Sequence, residues 1–234
     1  MANLKYDKEI TALLVIDPYN DFISEGVLNA ARKAELRVFY ALHRRYRFGD
    51  YESWKYIAPV QKAAWLHKAF EYGTWGGEIR REFGPQPGEI VAHEHWGSSG
   101  FANTDLDLQL KKHGIHQLIV IGLIAHTCVE ATVRYAAELG YEVTMVKDAT
   151  ADYGDEEMHA ALDINIPNYA SAMVTTDEVV EAMSSLSTVE ISVGALIRSS
   201  MCFRQRGVQL TPVSGSLCSS SNAAFVQFTE ERTQ

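Results

Sequence analysis

An α/β fold, a mostly parallel sheet held between layers of helices, is predicted from three observations. Short apolar runs alternate with helix-forming stretches from residue 10 to about 183. The run Gln117-Leu-Ile-Val-Ile-Gly122 is β-branched and apolar throughout, as expected of a strand covered on both faces. Asp17, His43, His93, His95 and Cys128 all fall at or just beyond the carboxyl ends of such runs, where open α/β sheets gather their sites.

The strands are expected at Thr11–Ile16, Arg37–Leu42, Glu89–Ala92, Leu118–Ile121, Glu142–Val146 and Ser171–Val174. The helices between them are expected at Leu28–Glu35, Pro59–Phe70, Thr104–Lys112, Cys128–Leu139, Glu156–Ile164 and Thr176–Met183. Pro59 suits a first helical position, where its missing N–H costs nothing. Thr104 is placed to cap the third helix and Gly114 to stop it. In the fourth, Val129, Val133, Ala136 and Ala137 recur at helical spacing and Gly140 closes the run.

The 234 residues suit one sizeable domain, and 47% hydrophobic content supplies its core. A formal charge of -9 argues against a general nucleic-acid binder and against an anionic membrane surface. No apolar run approaches the roughly 20 residues that a helical membrane span needs. Three cysteines form no Cys-x-x-Cys pair, and no leader-like apolar stretch follows Met1, so a cytoplasmic, reducing location is expected. Phosphate-binding glycine motifs of the Gly-x-Gly-x-x-Gly or Gly-x-x-x-x-Gly-Lys type are missing, so no cofactor is expected. Gly73-Thr-Trp-Gly-Gly77 is read as a turn needing positive φ. Residues 1–183 are expected to form the domain. Residues 184–234, serine-rich and without rhythm, are expected to be a poorly packed extension.

Cys128 follows a buried strand and opens a helix, where the helix amides and dipole favour a thiolate. A buried structural cysteine would fit the same position. Asp17 ends the first strand; facing Cys128, it could take the thiol proton and later activate water. It could equally shape a turn. Alternation along the third strand puts His93 and His95 on one face and Glu94 on the other. Hydrogen-bonded histidines, a metal pair lacking a third ligand, or an imidazolium that polarises a carbonyl oxygen all fit that pattern. His43, Arg44 and Arg45 could hold a substrate carboxylate. Tyr19, Phe22 and Trp96 could wall a pocket.

Leu14-Val-Ile-Asp17-Pro-Tyr-Asn-Asp-Phe22, Ser99-Gly-Phe101-Ala-Asn-Thr104-Asp-Leu106 and Gly122-Leu-Ile-Ala-His-Thr-Cys128-Val129 together resemble the isochorismatase-like cysteine hydrolase superfamily. The resemblance runs from about residue 10 to 183. It implies a three-layer α/β/α sandwich of Rossmann-like topology and, in the amidase branches, an Asp–Lys–Cys triad forming an acyl-enzyme. Asp17 and Cys128 match the aspartate and the nucleophile, and His95 stands where that family has its lysine. The resemblance further implies an oxyanion hole from the Thr127 and Cys128 amides and a non-proline cis peptide at Ile124–Ala125. Its nicotinamidase members hold a metal through an Asp-x-His pair; Ala41-Leu42-His43 lacks the aspartate, so no metal is expected. Homo-oligomers acting on small molecules are the family norm, which makes a homo-oligomer and a small-molecule substrate the expected partners.

The favoured reading is cleavage of an amide-type C–N bond through Cys128. The alternatives are a vinyl-ether hydrolase of isochorismatase type, which does not need the cysteine, and an inactive member acting as a binding protein. The link from Phe22 to Leu36 is short and is expected to leave one helix layer thin. Histidine in place of lysine makes a fixed charge pH-dependent. Activity is therefore expected to decline as pH rises through the imidazole pKa; a profile flat from about pH 5 to 9 would count against this.

Overall fold

The computed structural model describes residues 4–19 and 26–186. Phe22 and nearly all of the expected C-terminal extension, including Cys202 and Cys218, lie outside the described residues. Six parallel strands form one sheet in the order β3-β2-β1-β4-β5-β6. They are β1 (Thr11–Ile16), β2 (Arg37–Ala41), β3 (Ile90–Val91), β4 (Gln117–Leu123), β5 (Glu142–Ala151) and β6 (Ala172–Val174). The chain builds outward from β1 to β3, then returns to β4 on the other side of β1. That reversal opens a crevice at the carboxyl ends of β1 and β4.

Side-chain alternation on the central strands divides the core into two layers. Ala12, Leu14 and Ile16 of β1 face one way, with Leu118 and Val120 of β4. They pack against Leu106 and Leu110 of α3 (Leu106–Lys112) and Val133 and Ala136 of α4 (Glu130–Glu138). Leu13 and Val15 face the other way, with Ile119 and Ile121. They meet Val27, Leu28 and Ala31 of α1 (Gly26–Lys33), and Val179 and Met183 of the last helix, 176–186. The structure is therefore the predicted three-layer α/β/α sandwich. The layer expected to be thin holds only these two helices among the described residues, and the ring of Phe83 fills in beside them.

The element boundaries differ in instructive ways. The helix expected at Pro59–Phe70 ends at Leu66 as α2, because Lys68 and Phe70 take left-handed φ values of 48° and 53°. β4 and β5 run longer than expected, and β5 continues through Lys147 and Asp148 because its far half still pairs with β4 at Gly122 and Leu123. The helix expected to open at Cys128 starts earlier, with a π-type turn over Ala125–Val129 leading into α4. The helix expected at Glu156–Ile164 likewise splits into α5 (Asp155–His159) and a π-type turn over Ala160–Asn165. Thr104 does serve the start of α3, its hydroxyl accepting the Leu106 N–H at 3.2 Å. Gly73 takes φ 82°, the turn conformation expected of it.

One glycine fixes the crevice. Gly122 has φ 127°, and a Cβ there would lie 2.1 Å from the Ile16 carbonyl oxygen. Both the conformation and the close approach of β1 to β4 exclude a side chain. Gly122→Ala is expected to destabilise the protein by more than about 2 kcal/mol, a Tm loss of at least about 5 °C by thermal melt.

Candidate active site

Three chain segments deliver their side chains to this crevice. β1 ends at Ile16, and Asp17 turns the chain with φ 49°, a left-handed value that aspartate tolerates better than most residues. Its N–H is held by the Ala41 carbonyl at 3.0 Å. From β4, the chain passes through a cis peptide at Leu123–Ile124 and an extended Ile124 before the π-type turn carries Cys128 over the crevice. The cis bond thus lies one residue before the expected Ile124–Ala125, because β4 reaches Leu123 and the helical turn already starts at Ala125. His95 follows β3 and is locked in sheet-like pairing with His43. Its N–H donates to the Leu42 carbonyl at 2.8 Å, and its own carbonyl accepts the Arg44 N–H at 2.8 Å.

The result is a cluster of Asp17, His95 and Cys128 whose ligand-type atoms lie within 4.8 Å of one another. Asp17 and His95 are buried, and Cys128 is partly exposed. The Asp17 carboxylate accepts the His43 backbone N–H at 2.5 Å. His95 Nε2 stands 3.3 Å from Asp17 Oδ1, yet it is off the line of a hydrogen bond and has no hydrogen-bond partner. The contact is therefore one of charge. His95 Nδ1 lies 2.7 Å from the Gly97 carbonyl, which can only accept, so Nδ1 carries a proton.

The electrostatics follow from burial and from the pair. Burial alone would raise the Asp17 pKa, but His95 first, and then the His43 charge, hold it below the usual carboxylate value. Burial would neutralise His95, but the Asp17 carboxylate overrides it and keeps the imidazole pKa above its ordinary value. The imidazolium therefore persists to higher pH than in a free histidine, and any loss of function on its deprotonation moves upward with it. Burial, then the Asp17 charge, pushes the Cys128 thiol well up. The resting cysteine is a thiol facing a carboxylate, not a free thiolate. The Thr127 hydroxyl, 3.8 Å from Sγ, and the Ile124 N–H both favour the thiolate once it forms.

Asp17, Thr127 and Cys128 floor a cavity of about 430 Å³. Its wall is mostly apolar: Val60, Ala63 and Ala64 from α2, with Phe70 and Ile124. His43 and His67 supply polar edges, and Tyr153 stands 80% exposed at the lining. An apolar wall over a few convergent polar groups suits a small organic ligand.

Not every candidate residue arrives there. Tyr19 is fully buried, donates its hydroxyl to the His43 carbonyl at 2.7 Å and stacks on Phe70 behind the cavity. Arg44 is neutralised by Asp50 at 3.0 Å and Glu94 at 3.3 Å and lies over the Trp96 ring, so both residues face a separate surface hollow. Of the proposed binding residues that are described, only His43 lines the cavity. His93 and His95 do not share a face: the His93 side chain is 82% exposed while His95 is buried. Strand pairing of β3 stops at Val91, so period-two alternation no longer applies to either. The Thr127 N–H is engaged by the Ile124 carbonyl at 3.3 Å, a long bond that a stronger acceptor could displace.

Residues missed from sequence complete the frame. Buried Asp152 accepts both the backbone N–H of His126 at 2.7 Å and its Nδ1 at 2.6 Å, pinning the turn that carries Cys128. Its signal was a carboxylate directly after Ala149-Thr-Ala151, hidden because the strand was read as ending at Val146. The α2 wall gave no signal beyond helicity.

An isochorismatase domain matches residues 11–178. The chain is 35% identical over 144 residues to an uncharacterized isochorismatase family protein, YddQ, of Bacillus subtilis, covering 60% of this chain and 77% of that one. It is 30% identical over 202 residues to the ureidoacrylate amidohydrolase RutB of Caulobacter segnis, covering 73% and 84%. Among solved structures, N-carbamoylsarcosine amidase from Thermoplasma acidophilum superposes with a TM-score of 0.56 at 25% identity, covering 72% and 97%. A cysteine hydrolase from Pseudomonas syringae shares the fold with a TM-score of 0.63 at 21% identity, covering 79% and 97%. The chain belongs to the isochorismatase family and is a hydrolase. Among the described residues, no helix is long and apolar enough to cross a membrane.

Because Arg44 points away from the cavity, Arg44→Gln is expected to change KM less than about twofold. It should nonetheless lower stability by about 1 kcal/mol, measured by denaturant unfolding, because Asp50 loses its guanidinium while Glu94 keeps Arg45 at 2.7 Å.

Proposed function

We propose that this hydrolase cleaves an amide-type C–N bond in a small substrate through a covalent acyl-enzyme on Cys128. The observation that carries the reading is the Cys128 thiol set beside the buried Asp17 carboxylate, within 4.8 Å, on the floor of a largely apolar cavity. Two relatives whose names denote C–N hydrolysis, a ureidoacrylate amidohydrolase and an N-carbamoylsarcosine amidase, support it. The reading keeps the chain self-associating, as its family resemblance implies, and cytoplasmic, as its cysteine usage implies.

In this scheme the proton on Sγ passes to Asp17 as the sulfur attacks the substrate carbonyl carbon. The carbonyl π pair moves onto oxygen, where the Cys128 amide and a released Thr127 amide receive it. The neighbouring His95 imidazolium offsets the negative charge that the carboxylate and the oxyanion would otherwise share. Collapse breaks the C–N bond, and the leaving nitrogen takes the proton from Asp17. Water then attacks the thioester, giving its proton to Asp17; collapse breaks the C–S bond, Asp17 returns the proton to sulfur, and the acid is released. Starting from a protonated thiol means that substrate, not the resting enzyme, triggers ionisation.

Cys128→Ser and Asp17→Asn are each expected to cut kcat by about 10³-fold or more in an ammonia-release assay across small amides. The wild type should show an acyl mass adduct on Cys128. Vinyl-ether turnover that survives Cys128→Ser would replace this reading with the isochorismatase-type one, and silence toward every thiol-reactive amide or ester would favour a binding protein.

A further inference from the structure

We infer that Asp17, His95 and Cys128 form a binding site for a thiophilic divalent cation such as Zn²⁺, and that its occupancy shuts the hydrolase. No metal was expected, because Ala41-Leu42-His43 lacks an aspartate and His93 with His95 lacked a third ligand; Asp17 and Cys128 now stand beside His95 as the partners it was thought to lack. A carboxylate oxygen, an imidazole nitrogen and a sulfur, all within 4.8 Å of one another, are the donor types zinc selects.

Two features of His95 point to a ligand rather than to a simple ion pair. Its Nε2 is fully buried, has no hydrogen-bond partner and is directed at Asp17. Its Nδ1 donates to the Gly97 carbonyl at 2.7 Å, the backbone anchoring that zinc-bound histidines ordinarily show, which leaves Nε2 as the nitrogen free to coordinate. The spacing is also right. Two ligands at about 2.0–2.1 Å from zinc, at a tetrahedral angle, stand about 3.3 Å apart, and Nε2 and Oδ1 are separated by 3.3 Å.

Only Sγ needs to close in, and Cys128 is partly exposed at the tip of its turn. A cation entering through the cavity would gain bonds to oxygen, nitrogen and sulfur. The proton on Sγ and any proton on Nε2 would leave to solvent. A thiolate, a carboxylate and a neutral imidazole together balance the two charges of the ion, so the buried site becomes neutral. The fourth position would open to the cavity, for water. A lysine in place of His95 would supply charge but no lone pair while protonated, so the histidine is what makes the trio a ligand set.

Binding follows from geometry alone; inhibition rests on the cysteine-hydrolase reading, and the two are tested separately. Co²⁺ titration of the full chain should give one ion per chain and a sulfur-to-cobalt charge-transfer band, and Zn²⁺ should displace it. Cys128→Ser should abolish the band. His95→Gln and His95→Lys should each weaken Zn²⁺ binding by more than about tenfold, the lower limit seen when even supporting groups around a metal are changed. His93→Ala, at an exposed histidine, should leave binding intact. Absence of the band in folded wild type, or Zn²⁺ binding equal in the Cys128 and His95 variants, would overturn the site. Wherever amide turnover is found, stoichiometric Zn²⁺ should suppress it and a chelator restore it; turnover undiminished with the site filled would overturn the inhibition. Binding without any amide turnover would leave the site standing and reject the cysteine-dependent amide-cleavage reading instead.

Discussion

The Asp17 carboxylate is a charge buried where three strand ends converge, and the groups around it are arranged by the need to compensate it. An isolated carboxylate removed from water costs several kcal/mol even after relaxation. Here it receives the His43 backbone N–H, faces the His95 ring and lies beside the Cys128 thiol. Each of those partners is itself fixed by main-chain bonding. The His43 and His95 segments are zipped together by the bonds of Leu42, Arg44 and His95, and the Cys128 turn is tied down by Asp152. A change at any of these points reaches the carboxylate.

The same compensation explains why the thiol is not pre-ionised. A helix start next to a lysine would lower a cysteine pKa, but the Cys128 thiol is buried at the end of a π-type turn, and the carboxylate it faces adds to the effect. The imidazolium is closely coupled to Asp17, so its charge is already shared with that carboxylate. This arrangement limits idle reaction of the cysteine with oxidants, since the thiolate is the reactive form.

Much of this was legible in the chain. The strand β1 was readable because all six of its residues are buried, and the crevice residues because they follow strand ends. Asp17, His95 and Cys128 do converge. What escaped depended on pairing and on backbone sign. His93 was paired wrongly with His95 because β3 is only two residues long, and alternation needs a continuing ladder. Arg44 and Trp96 were assigned to the pocket from chemical type, whereas their direction is set by Glu94 and Asp50, partners distant or ambiguous in sequence. Asp152 was lost to a misjudged strand end, and the α2 wall because nothing local says what a helix will face. Left-handed turns at Lys68 and Phe70, which bring that wall into place, have no glycine to announce them.

The bond from His95 Nδ1 to the Gly97 carbonyl has a directional consequence. A histidine free to exchange tautomers can shuttle a proton from one side of its ring to the other, linking a site to solvent. With Nδ1 occupied by an acceptor only two residues away, the ring is a cul-de-sac: a proton lost or gained by His95 at ordinary pH must cross Nε2, on the side of Asp17 and Cys128. Proton traffic at this centre therefore enters and leaves by the same door as the substrate, so that a bound ligand seals both at once.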